Sequence, residues 1–149
     1  MKLNTTSGVI SFARKLEEDG AGFYEGLAKW NADDGEVLLS FAKENRRNVV
    51  QTERVYYGVI SDAIEGCFAF DMDSDEYMLR TESPAEASYP DSLNRAINME
   101  DRTTRFYLDA AEQSKSLLAD VPRAFAVVAK KRDNRRLKLL ALLEKARQK

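Results

Sequence analysis

An all-α chain of four helices, with one long crossover between the second and third, is what this sequence predicts. Three observations carry that expectation. Three prolines and seven glycines in 149 residues are too few for a turn-rich β chain, the apolar residues recur at helical rather than alternate spacing, and turn signals gather at only a few points. The first helix is expected from about Ser7 to Trp30, ending before Asn31-Ala-Asp-Asp-Gly35. Asp33 or Asp34 there can cap a second helix that continues to about Glu65. The third begins near Asp91 or Ser92, just after Pro90. Lys115 to Asp120 forms a short connection, and Pro122 suits the first turn of a fourth helix running nearly to Lys149. Residues 66–90 form the crossover, acidic and without sustained periodicity, inside one domain spanning 1–149.

Composition narrows the chemistry. Histidine is absent, which excludes His-based catalysis, His-containing zinc sites and the usual nitrogen ligand for iron. A lone cysteine, Cys67, forbids an internal disulfide framework, and with no base beside it buried filler is a better reading than nucleophile. No stretch approaches the roughly eighteen apolar residues of a membrane span, and MKLNTTSG lacks the pattern of a signal peptide, so no membrane association and a cytoplasmic location are expected. Gly20-Ala-Gly22 lies inside a helix and is no phosphate loop. Residues 119–149 carry ten Lys or Arg against three acids, and residues 1–118 carry thirteen against twenty-two. Nucleic acid is the poorer reading of that basic segment, because the net charge is −2 and Arg46-Arg47 and Lys130-Lys131-Arg132 lack aromatic neighbours for base stacking.

The heptad seam of each helix faces the core whatever residue occupies it. Helix one reads Ile10, Ala13, Glu17, Gly20, Tyr24, Leu27. Helix two reads Leu38, Phe41, Asn45, Asn48, Thr52, Val55, Val59. Helix three gives Leu93, Ala96, Glu100, Thr103, Tyr107, Ala110, and helix four gives Phe125, Val128, Arg132, Arg135, Leu139, Leu142, Ala146. Each seam is apolar at its ends and polar in the middle, so polar groups from all four helices meet in one layer. A register shift of one would turn Arg136 inward instead of Arg135.

The two halves also match. LEEDGAGFYEGLA aligns with MEDRTTRFYLDAA, placing Glu17 on Glu100 and Phe23-Tyr24 on Phe106-Tyr107. FAKENRRNVV aligns with VAKKRDNRRL, placing Asn45 on Arg132 and Asn48 on Arg135. The chain reads as a duplicated helical hairpin. With its single long crossover it is similar to ferritin-like four-helix bundles, and a Glu seven or so residues ahead of a Phe-Tyr pair, occurring twice, resembles the rubrerythrins and related di-iron carboxylate proteins. That resemblance implies a Glu-x-x-His pair on each second helix. Here those positions are Asn45 and Asn48, and Arg132 and Arg135, so of six ligands only Glu17 and Glu100 remain.

Amides are weak iron ligands and guanidinium groups have no lone pair to give. Two arginines are therefore expected to take the electrostatic place of the metals, with Tyr24, Tyr107, Asn45, Asn48, Thr52 and Thr103 satisfying the remaining donors and acceptors. The expected function is a non-catalytic binding or structural module with no cofactor, its small-molecule or protein ligand unknown. The alternative is metal binding through Glu17 and Glu100, helped by Glu44, Glu53 or Asp133. The resemblance also implies a homodimer, for which Leu16, Phe23 and Trp30 offer a second apolar stripe if exposed. Asp71, Asp73, Asp75 and Glu82 match positions of a calcium loop, but Glu76 stands where the loop needs Gly, and a solvated acidic crossover is the simpler expectation.

Overall fold

Helix α1, Thr6–Trp30, starts where Thr5 accepts a hydrogen bond from the Gly8 amide at 3.0 Å, the side-chain oxygen replacing a missing helical acceptor. It stops at Asn31, whose side-chain amide donates to the Leu27 carbonyl at 2.9 Å. A 3-10 turn, Ala32–Asp34, leads into α2, Gly35–Val59. Helix α3, Tyr89–Gln113, is capped by Ser88 and holds Pro90 in its first turn, where a missing N–H costs nothing. Helix α4 runs from Asp120 to Arg147. These bounds come from a computed structural model that describes residues 1–59, 70–81, 87–115 and 120–148.

Among the described residues there are four long helices, and the chain is all-α, as the periodicity predicts. Helix α3 begins two residues earlier than expected, because Ser88 rather than Asp91 or Ser92 caps it. Asp34 does not end up as an exposed cap. It is buried, and its carboxylate accepts from the Tyr89 hydroxyl at 2.7 Å and pairs with Lys145 at 3.5 Å. One feature escaped the sequence entirely: Lys2–Leu3 (β1) pairs antiparallel with Met72–Asp73 (β2), Lys2 opposite Asp73 and Leu3 opposite Met72.

Helix α1 packs chiefly on α2 and α3 on α4, giving two hairpins, while α2 against α4 and α1 against α3 join them. The interior is divided along its length. One apolar cluster gathers Leu3, Phe12, Leu16, Met72, Phe106, Phe125 and their neighbours, and the other gathers Leu38, Phe41, Leu93, Ile97, Leu139 and Leu143. Between them lies a buried layer of Glu17, Asn45, Asn48, Thr52, Glu100, Thr103, Arg132 and Arg135. This is the arrangement the seams predict. The departure is at the end of α4, where Leu143 is buried and Leu142 and Ala146 are only partly so. A straight helix of 3.6 residues per turn drifts away from a strict seven-residue repeat, and by the last turns the inward position has moved by one.

Among the described residues no helix is long and apolar enough to cross a membrane. Cys67 and Glu82 lie outside the described residues. Of the remaining acids in the calcium-like pattern, Asp73 and Asp75 face the Met1 ammonium at 3.2 and 3.6 Å, and Asp71 faces Lys2 at 3.6 Å. Leu16 is buried, Phe23 packs partly against the core and Trp30 is 87% exposed, so the proposed apolar stripe does not form one exposed face.

Candidate buried charge site

Glu17 from α1 and Glu100 from α3 are each 1% exposed, and each takes a tyrosine from the opposite half. The Tyr24 hydroxyl donates to Glu100 Oε1 at 2.6 Å, and the Tyr107 hydroxyl donates to Glu17 Oε1 at 2.8 Å. The sequence offset that relates Glu17 to Glu100 also relates Tyr24 to Tyr107, so the two contacts are copies of one another across the duplicated hairpins.

The cations break that symmetry, since both come from α4. Arg132, 2% exposed, donates through Nη1 to both Glu100 oxygens at 2.7 and 2.9 Å, and through Nη2 to Glu17 Oε2. One planar guanidinium thus ties the two carboxylates together. Arg135 donates through Nη1 to Asn45 Oδ1 and to Glu100 Oε1 at 3.2 Å, and through Nη2 to Glu44 Oε1 at 2.6 Å. Its charged carbon also lies 5.0 Å from the Phe41 ring centre and 5.6 Å from that of Tyr24, within reach of cation–π attraction. Arg136 is the outward residue, paired with Asp101 at 2.7 Å. The register that places Arg135 inward therefore holds.

Amides fill the places opposite. Asn45 Nδ2 donates to the Glu17 backbone carbonyl at 3.0 Å, and Asn48 Nδ2 reaches Glu17 Oε1 at 3.5 Å. Asn45 can come so close because Gly20 has no side chain: a Cβ there would stand 2.8 Å from Asn45 Nδ2. Thr52 turns its hydroxyl back to the Asn48 carbonyl at 2.6 Å and takes no part in the ion cluster. Asn48 Oδ1 and the Nε atoms of Arg132 and Arg135 are buried without a protein partner.

The charges of Glu17 and Glu100 are matched by those of Arg132 and Arg135, which is what burial of four ions demands. Burial still dominates at Glu17 and pushes its carboxyl above the ordinary range, against the pull of Arg132 and the Tyr107 hydroxyl. Burial, followed by the neighbouring carboxylates, holds both tyrosine hydroxyls well above their usual range, so they stay protonated donors. For Arg132, burial acts to weaken the proton but is outweighed by Glu100 and Glu17, and the side chain is held as a fixed cation.

Both carboxylate oxygens of Glu17 and both of Glu100 accept at least one hydrogen bond from the chain itself. The additional acids that could have helped a metal are placed elsewhere. Glu44 is committed to Arg135, Glu53 binds Arg14 at 2.7 Å, and Asp133 is exposed. Among the described residues no group of three or more Asp, Glu, Cys or His is arranged to hold a metal ion. The sequence singled out Glu17, Asn45, Asn48, Glu100, Arg132, Arg135, Tyr24 and Tyr107, and the structure brings all eight together. It missed the outer pairing of Arg135 with Glu44 and the ring of Phe41 beneath it. The signal was present: Phe41 and Glu44 are one turn and one residue, respectively, before Asn45.

No protein-family profile, curated protein or solved structure matches the chain.

Proposed function

We propose that this chain is a ferritin-like bundle, similar to the rubrerythrins, in which a buried arginine network occupies the place of the di-iron centre, and that it serves as a non-catalytic binding or structural module. The observation that carries this reading is Arg132, whose single guanidinium spans the two carboxylates, Glu100 at 2.7 and 2.9 Å and Glu17 through its other nitrogen. The matching halves and the reciprocal tyrosine contacts support the same ancestry. A fixed cation with no lone pair supplies neither redox chemistry nor an open coordination position, and the two hydroxyl–carboxylate pairs, Tyr24 with Glu100 and Tyr107 with Glu17, are sealed from solvent.

Elemental analysis of the protein purified from iron-rich cells tests the reading. Substoichiometric iron and manganese are expected, and one or two equivalents per chain overturn it. The ferritin-like reading also carries pairing of two copies through helix faces, which light scattering checks as a doubled mass.

A further inference from the structure

We propose that the outer face shared by α2 and α4 binds a nucleic-acid duplex through its phosphates. Two contacts set the helices side by side in opposite directions: Glu44 with Arg135, and Gln51, whose side chain accepts from Lys131 Nζ at 3.2 Å. On α2, Arg47 and Arg54 fall on the same stripe as Glu44 and Gln51, with Lys43 one turn before Arg47. On α4, Lys138 continues the stripe of Lys131, and Lys130 stands beside it. Lys131 is partly exposed and the other five are exposed. None of the six pairs with an acid among the described residues.

Several cations elsewhere are paired with acids. Arg14 pairs with Glu18 and Glu53, Lys15 with Asp19, Arg46 with Glu25 and Arg136 with Asp101. Arg95, Arg102 and Arg105 donate to carbonyls of residues 80, 78 and 76. The acid on the shared stripe, Glu44, is taken by Arg135. Asp133, three residues from both Lys130 and Arg136, and Glu144 are exposed acids at the edge of this face. Lys29, Arg80, Arg123 and Arg147 are likewise exposed and without an acid partner among the described residues, but Lys43, Arg47, Arg54, Lys130, Lys131 and Lys138 are the six gathered on two neighbouring helices.

The form of that face favours a duplex. Lys43 to Arg54 spans about 17 Å along α2, against about one phosphate charge per 1.7 Å of duplex axis, and neighbouring helices set the two rows of cations roughly 8–10 Å apart. The exposed apolar residues on this side are Val50, Val127, Leu137 and the single ring of Tyr57, and one ring is neither a row of stacking platforms for single strands nor a set of bulky groups for a bilayer. The net charge of −2 does not oppose this, because at physiological salt charges on the far side of the bundle are screened over about 8 Å. From sequence, Arg46-Arg47 and Lys130-Lys131-Arg132 are separate short runs; the fold sets the cations of α2 and α4 side by side.

Fluorescence anisotropy with a labelled random-sequence 20-base-pair DNA duplex, from 50 to 200 mM salt, tests the proposal. Six engaged phosphates give a log–log salt slope of about −5. Arg47→Gln/Lys131→Gln is expected to flatten it by about 2, and Lys43→Gln/Lys138→Gln to do the same, while Lys15→Gln leaves it unchanged. Absence of duplex binding at 50 mM salt overturns the proposal, as does binding that both double variants leave intact. Binding to phosphatidylglycerol vesicles without binding to the duplex overturns it also.

Discussion

At the scale of single residues, the buried layer behaves as one object, and removing one member exposes the others. Arg132→Leu leaves Glu17 and much of Glu100 without their cation, and a loss of about 3–5 kcal/mol is expected in urea unfolding. Replacing Glu17, Glu100, Arg132 and Arg135 together by apolar residues of similar volume, with Tyr24→Phe and Tyr107→Phe so that neither buried hydroxyl loses its acceptor, is expected to recover most of it, since three buried polar atoms of the layer already lack partners. The tyrosines separate more finely. Tyr107→Phe is expected to cost about 3 kcal/mol and Tyr24→Phe about 1.5 kcal/mol, both measured by chemical denaturation. Glu100 keeps both arginines when Tyr24 is lost, whereas Glu17 keeps Arg132 and only a 3.5 Å contact from Asn48. Glu17 also sets a pH dependence. Its folded carboxyl is raised above 4.5, so the proton is bound more tightly in the folded state than in the unfolded one. The stabilisation from that proton is full below 4.5 and is lost as pH rises through the raised value. Lowering the pH from 7 should therefore improve stability relative to Glu17→Gln, compared by urea midpoints at each pH.

At the scale of elements, the glycines of α1 divide by what stands opposite them. A Cβ at Gly20 meets Asn45, which is itself held between the Glu17 carbonyl and Arg135, while a Cβ at Gly22 or Gly26 meets nothing within 4 Å. Gly22→Ala and Gly26→Ala are expected to raise stability by about 0.5–1 kcal/mol each through helix propensity. Gly20→Ala is expected to lower it despite the same gain, and thermal melts of the three variants distinguish the two cases. The helices were legible because heptad position decides facing before chemistry does. Arg132 and Arg135 could be placed in the core from spacing alone, although arginine is among the residues least often buried. The two-residue β1–β2 ladder was not legible, since a period of two needs several residues to register. The last turn of α4 misled because a seven-residue template was extended beyond the length over which it tracks a straight helix.

At the scale of the whole molecule, the duplication shows in the acids and tyrosines and fails in the cations. The halves contribute unequally: α1 and α2 bring Glu17, Asn45 and Asn48 to the layer, and α3 and α4 bring Glu100, Arg132 and Arg135. The candidate site was readable from sequence to the extent that it lies on these seams. Glu44, one residue off the seam beside Asn45, was within reach of the sequence, whereas the gathering of α2 and α4 cations on one side required three dimensions. Each hairpin by itself is electrically incomplete, the first carrying an excess negative ion in its polar layer and the second an excess positive one. Two first halves brought face to face would confront acid with acid, and two second halves would confront surplus guanidinium with surplus guanidinium, so only unlike halves close on one another. Charge neutrality in the interior is thus a property of the joined halves and of neither one alone.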